Sequence, residues 1–197
     1  MLQASTSRST SSSHPLDRPL SRRPGEVSLA AFTLLFSELV QLHQVRSSSV
    51  SEFEAALCDA GRQVGSRALQ VHWIREGKKT RETRILGILQ FLSSTIWPGL
   101  FNKKADSLER GVSSKSEYMI HDANPLPTVF CEVPRSLGGM NPNAFVSGII
   151  QGVLETAGFG CGVTAHRAEE GGGGTKTVFL VNFHEDVVER DEMLEGR

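Results

Sequence analysis

The chain has 197 residues, 39% of them hydrophobic and 22% charged, which suffices for one domain with a real core, or one domain and a tail. A net charge of −1 excludes a globally basic nucleic-acid binder. No apolar run reaches the ~18 residues that a bilayer-spanning helix needs. The three cysteines, Cys58, Cys131 and Cys161, lie far apart. An odd number without C-x-x-C spacing argues against a disulfide framework or a zinc site and fits a reducing compartment.

Residues 1–26 read as a disordered Ser/Arg/Pro-rich arm. Through residue 25, Arg8, Arg18, Arg22 and Arg23 stand against Asp17 alone, and six of the first thirteen residues are serine. Such a composition buries too little apolar surface to offset its ordering entropy. Arg- and Ser-rich beginnings also occur in transit peptides, but this stretch has no clean amphipathic pattern.

The domain is expected over 27–197. Ser28 is placed to cap a helix from Leu29 to Leu42. Leu29, Phe32, Leu35, Phe36, Leu39, Val40 and Leu42 fall within about 160° of its circumference, with Leu34 and Val45 outside. A helix apolar this far round wants two partners. It is either a central core helix or one shared between its own core and another subunit. Ser51 with Glu54 forms a capping-box pattern that opens a second helix. On it, Phe53, Leu57, Ala60, Val64, Ala68 and Val71 share a face. Gly61 and Gly65 sit four apart beside that face, each costing about 1 kcal/mol of helix propensity, which close approach of another backbone would offset.

A third helix is expected from Thr83 to Trp97, ended by Pro98-Gly99. Leu100 to Glu109 suggests a short amphipathic turn with Lys103 and Lys104 on a solvated face. Glu117–His121 and Thr128–Val133 read as strands, and Asn143 can cap a fourth helix, Ala144 to Thr156, stopped by Gly158. Cys161–His166 and Lys176–Phe183 read as two further strands around a flexible glycine-rich loop, 168–175. Gly171–Gly174 lacks the context of a phosphate loop. Glu185 to Leu194 is a polar helical tail. The order gives an α+β fold: three N-terminal helices, and one between strand pairs, packed on a twisted, mainly antiparallel four-stranded sheet.

Candidate chemistry is sparse. Cys131 alternates with apolar Val129 and Val133, as an inert buried thiol would. His121 and Asp122 are adjacent on a strand and should point to opposite faces. His72, His121, His166 and His184 lack ligand spacing. No catalytic, cofactor-binding or metal-binding residue is assigned, and the pattern favours an interaction subunit.

Several stretches carry a family likeness. Val27–Val40 resembles the first helix, and Gly61–Arg67 the glycine-bearing second helix, of TRAPP (transport protein particle) core subunits of the Bet-three family. Arg81-Glu-Thr83, Leu100–Asp106, Leu108-Glu109, Asn143–Phe159, Val163–His166, Arg190-Asp191 and Leu194–Arg197 resemble later family segments, so the likeness covers about 27–197. It implies a non-enzymatic scaffold without cofactor, with subunits paired through helical faces. The interface expected on that basis comprises Leu29, Phe32, Leu35, Phe36, Leu39, Val40, Gly61 and Gly65. The implied partners are the Bet-three subunit as heterodimer, a sedlin-type longin-fold subunit, other TRAPP subunits, and a Rab GTPase through the assembled complex. The implied setting is a cytoplasmic particle peripheral to Golgi and endoplasmic reticulum membranes, which tethers vesicles and exchanges Rab nucleotide in ER-to-Golgi and Golgi traffic. The Bet-three subunit bears an acylated cysteine in the segment corresponding to Glu76–Lys79, and this chain has none there. The competing readings are a small-molecule or acyl-chain binding module and a cysteine hydrolase using Cys131 or Cys161.

Overall fold

The structure is a computed structural model and describes residues 27–77, 81–111, 114–131, 133, 139–170 and 174–195. The expected arm, 1–26, lies outside the described residues. The elements run α1 (Leu29–Arg46), α2 (Val50–Arg75), α3 (Ile85–Phe91), a π-helical segment (Leu92–Ile96), α4 (Trp97–Phe101), β1 (Ser107–Arg110), β2 (Glu117–Asp122), a 3-10 turn (Leu126–Thr128), α5 (Ala144–Thr156), β3 (Cys161–Glu170), β4 (Gly174–Phe183) and α6 (Glu185–Glu195). Strands stand in the order β1-β2-β4-β3, every pairing antiparallel. The α+β expectation therefore holds.

Strand alternation positions the core. Tyr118, Ile120, Phe179, Val181, Phe183, Cys161 and Val163 are buried on one side of the sheet, while Met119 and Leu180 on the other are half-exposed. α5 is the central element. Ten of its thirteen residues are buried, consistent with an apolar sequence all round.

Four expectations are corrected. Of the expected strand Thr128–Val133, the described residues 128–131 and 133 form no strand: Pro125 and Pro127 bend the chain into the 3-10 turn and the turn that follows. The missing strand is β1, overlapping the end of the expected amphipathic turn; it is short and pairs only at β2's side. Pro98 does not end the third helix. It falls in the first turn of α4, where its missing N–H costs nothing, and the π segment ahead widens the backbone before its ring. The chain leaves α4 at Asn102, in left-handed geometry with φ 55°. Finally, β3 and β4 pair out to Glu170 and Gly174, so the hairpin loop is shorter than 168–175, with 171–173 outside the described residues.

The caps also differ in detail. Ser49, not Ser51, caps α2 by accepting from the Glu52 N–H, and the Glu52 carboxylate accepts from the N–H and hydroxyl of Ser48. Asn143 stands at the N-cap of α5, but its amide bonds across the fold to Thr128 and Thr177.

Candidate subunit interface

α1 is the least anchored of the long helices. Phe36 alone is buried in it, 3% exposed, with its ring 5.2 Å from that of Phe145 and 6.3 Å from Phe32. Phe32, Leu39 and Val40 pack beside it half-buried, and Leu29 is at the exposed margin. Leu35 of the same expected set is 70% exposed. The residues that sequence reasoning set aside are exposed as well: Leu34 at 70% and Val45 at 87%. At about 100° per residue, Leu34, Leu35, Leu42 and Val45 share one sector of roughly 100°. α1 thus has two apolar sides, one turned into its own domain through Phe36 and one open. The signal for the open side was the pair of apolar residues outside the main arc.

Two members of the expected interface belong inside. Gly61 and Gly65 are buried against α5, where a β-carbon on either would overlap the Phe145 or Ile149 carbonyl. Close backbone approach is the use expected of them, but the other backbone belongs to the same chain. Phe36 likewise serves the chain's own core. On α2 the exposed large apolar residues are Val50, Val64 and Ile74.

The polar residues of the family-like stretches build clamps rather than a reactive centre. Asp191 of α6 accepts from the Ile85 N–H at 3.0 Å and from Arg84 Nε at 2.8 Å, capping α3 from 106 residues away. Arg190 donates to the Gly158 carbonyl at 3.0 Å and lies over the Phe159 ring. Arg81 donates to the Ala157 carbonyl at the same helix end. Burial pushes the Asp191 carboxyl up, but the Arg84 and Ile85 donors outweigh it and hold the group below its ordinary value. A depressed folded-state pKa contributes stability that is complete above the unfolded value, about 3.9, and lost as pH falls through the folded one. Asp191→Asn is therefore expected to lower Tm at neutral pH, with the two melting curves converging only at more acid pH; a constant gap from pH 7 to 2 would refute the clamp.

Lys103 is not merely a solvated lysine. It pairs with Asp122, which is fully buried, and donates to the Asn124 carbonyl at 2.7 Å. Asp122 also accepts from Trp97 Nε1 at 3.2 Å and the Asn124 N–H at 2.9 Å. Removing one partner of such a pair strands the other, at about 3–5 kcal/mol. Lys103→Met is expected to lose stability on that scale in urea unfolding, whereas exposed Lys104→Met should be near neutral.

His121 does not act with Asp122. Its ring nitrogens are buried without hydrogen-bond partners, 3.4 Å from the Glu109 carboxylate at nearest. Desolvation raises the pKa of Cys58, Cys131 and Cys161, the last to about 12. Thiols held protonated at neutral pH are poor nucleophiles. Among the described residues no three His, Cys, Asp or Glu side chains are grouped to hold a metal ion, and no helix is long and apolar enough to cross a membrane. An open hollow of about 790 Å³ between α2, α5 and β3 is lined by both Met140 and Val163 and by Glu54, Asn141 and Arg167.

Helices thus pack on a four-stranded antiparallel sheet, and α1 keeps one apolar side open. Residues 32–184 match the family of transport protein particle (TRAPP) components, and the chain belongs to that family. It is 44% identical to trafficking protein particle complex subunit 5 of Dictyostelium discoideum over 177 residues, covering 89% of this chain and 95% of that one. Subunit 5 of Homo sapiens is 41% identical over 182 residues, 92% of this chain and 94% of that one. Subunit 31 of Saccharomyces cerevisiae is 42% identical over 120 residues, 60% of this chain and 40% of that one. In fold, the chain resembles a crystal structure of subunit 3 from Naegleria fowleri, covalently bound to palmitic acid. The TM-score is 0.64 at 14% identity, covering 80% of this chain and 95% of that one. The chain is thus a component of the TRAPP complex, and other TRAPP subunits are its partners.

Proposed function

We propose that the chain is a non-enzymatic scaffold subunit of the vesicle-tethering and Rab nucleotide-exchange particle. It pairs through the open side of α1 with a Bet-three-type subunit and contacts a sedlin-type longin-fold subunit, and the particle works at Golgi and endoplasmic reticulum membranes. Exchange belongs to the assembly; this chain positions the others. The observation that carries the reading is the stripe Leu34, Leu35, Leu42 and Val45, exposed on a helix anchored by one buried residue. Exposed apolar surface of this kind marks an interaction site. Its contents, aliphatic residues on one helical face, suit a partner helix.

The test is to co-express the chain with the Bet-three-type subunit of the same cell and measure mass by sedimentation. A 1:1 complex that survives dilution to micromolar concentration supports the reading. Two species sedimenting independently would overturn it.

A further inference from the structure

Resting on that reading of α1, we propose that Glu38 sets which partner the helix accepts. It opposes pairing with a second copy of this chain and selects a different subunit that presents a lysine or arginine from a facing helix.

Glu38 is the one carboxylate of α1 and is exposed. On the helical wheel it falls between Leu34 and Val45 on one side and Leu35 and Leu42 on the other, in the middle of the open apolar sector. Its neighbours three and four residues away are Leu34, Leu35, Gln41 and Leu42, so no cation lies within the reach that i,i+3 and i,i+4 pairs require. No ion pair or hydrogen bond engages its side chain among the described residues. A glutamate meant only to keep a surface helix soluble would do as well on the polar side, beside Gln44. This one stands where a partner must cover it.

Its place along the helix adds the symmetry argument. Glu38 lies at the midpoint of Leu29–Arg46, with Leu34 and Leu42 four residues to either side. A pair of identical chains is isologous: a residue on the two-fold axis meets itself. Two α1 helices crossing at the centre of their open stripes would bring Glu38 against Glu38 in a contact that excludes water. Like charges so placed oppose association, whereas a cation there gains a desolvated ion pair and fixes register. One residue therefore supplies both halves of specificity, attraction to the right partner and repulsion of the wrong one.

The experiment uses the full chain and its Bet-three-type partner, with Kd values from sedimentation or interferometry. Glu38→Leu is expected to tighten self-association about tenfold or more and to weaken heterologous pairing about thirtyfold or more, because it leaves the partner's cation buried without its carboxylate. Glu38→Lys is expected to weaken heterologous pairing about tenfold or more. An equimolar mixture of the native chain with the Glu38→Lys chain should associate more tightly than either alone, because Glu then meets Lys across the axis. If the mixture is no tighter and Glu38→Leu self-associates like the native chain, the proposal is wrong. Leu35→Asp separates the two failures. If it abolishes heterologous pairing while the Glu38 variants change nothing, α1 is the interface and the selectivity proposal falls alone. If Leu35→Asp also changes nothing, the α1 reading falls with it.

Discussion

Gly148→Ala is expected to destabilise the domain by about 3 kcal/mol or more, although alanine is the better helix former. The reason is the crossing of α2 and α5. Gly61 and Gly65 of α2 face the carbonyls of Phe145 and Ile149, while Gly148 and Gly152 of α5 face those of Cys58 and Arg62. Each helix presents two glycines, four apart, to the backbone of the other, so the two interlock reciprocally. A β-carbon at Gly148 would overlap the Cys58 carbonyl, and a backbone cannot swing aside as a side chain can. The helices must separate, and the burial of Leu57, Ile149 and Val153 loosens with them. Propensity returns about 1 kcal/mol; overpacking typically costs about 1–3 kcal/mol, and about 4 kcal/mol or more is expected here, because the obstacle is fixed backbone and the crossing must shift as a unit. For a domain of this size the net loss lowers Tm by about 10 °C. Gly162→Ala is the control, because nothing lies within 4 Å of its β-carbon position. Equal melting temperatures for the two variants would show that the crossing is looser than the structure has it.

The second large effect separates two neighbours in sequence. Leu35→Asp, or Leu34→Asp, should leave the isolated domain folded and abolish pairing with the Bet-three-type subunit. An aspartate there is solvated in the free chain and must be desolvated only on association, at a cost of several kcal/mol. That corresponds to a loss of at least a hundredfold in affinity. Phe36→Asp should do the opposite, unfolding α1 from the domain before any partner is met, because Phe36 packs on Phe145 inside the chain. Circular dichroism and a binding isotherm on the two variants would distinguish them. Leu35→Asp that binds with native affinity would move the interface off this side of α1.

Periodicity revealed what was governed by local chemistry and missed what was governed by partners distant in the chain. The apolar arc of α1, the core face of α2, and the alternation in β2, β3 and β4 are each set by their own residues. β1 was hidden because four residues, Ser107–Arg110, carry too short a pattern to stand out from a turn. Thr128–Val133 misled because β-branched residues around prolines look like a strand when no pairing partner can be seen. Pro98 looks like a stop in sequence, though proline is equally at home in a helix's first turn, where it stands in α4. Of the residues expected at the interface, Leu35 is exposed, while Phe36, Gly61 and Gly65 are covered by atoms of α5. A sequence shows that a face must be covered; it does not show which chain covers it. Leu34 and Val45 carried the cleaner sign of a second partner, since a single core contact leaves no use for apolar residues on the far side of the helix.

The crossing of α2 and α5 also dictates when this domain can form during synthesis. The carbonyls that receive Gly61 and Gly65 belong to residues 145 and 149, more than eighty positions later. Until α5 has left the ribosome, α1 and α2 have nothing to close on, and Phe36, Phe53 and Leu57 remain bare. Closing so long a loop is slow, and apolar surface waiting in the open is prone to aggregate. C-terminal truncations that remove α5 should therefore yield insoluble two-helix fragments rather than a smaller stable unit. In this design the first two helices cannot be covered until α5, Ala144–Thr156, has emerged.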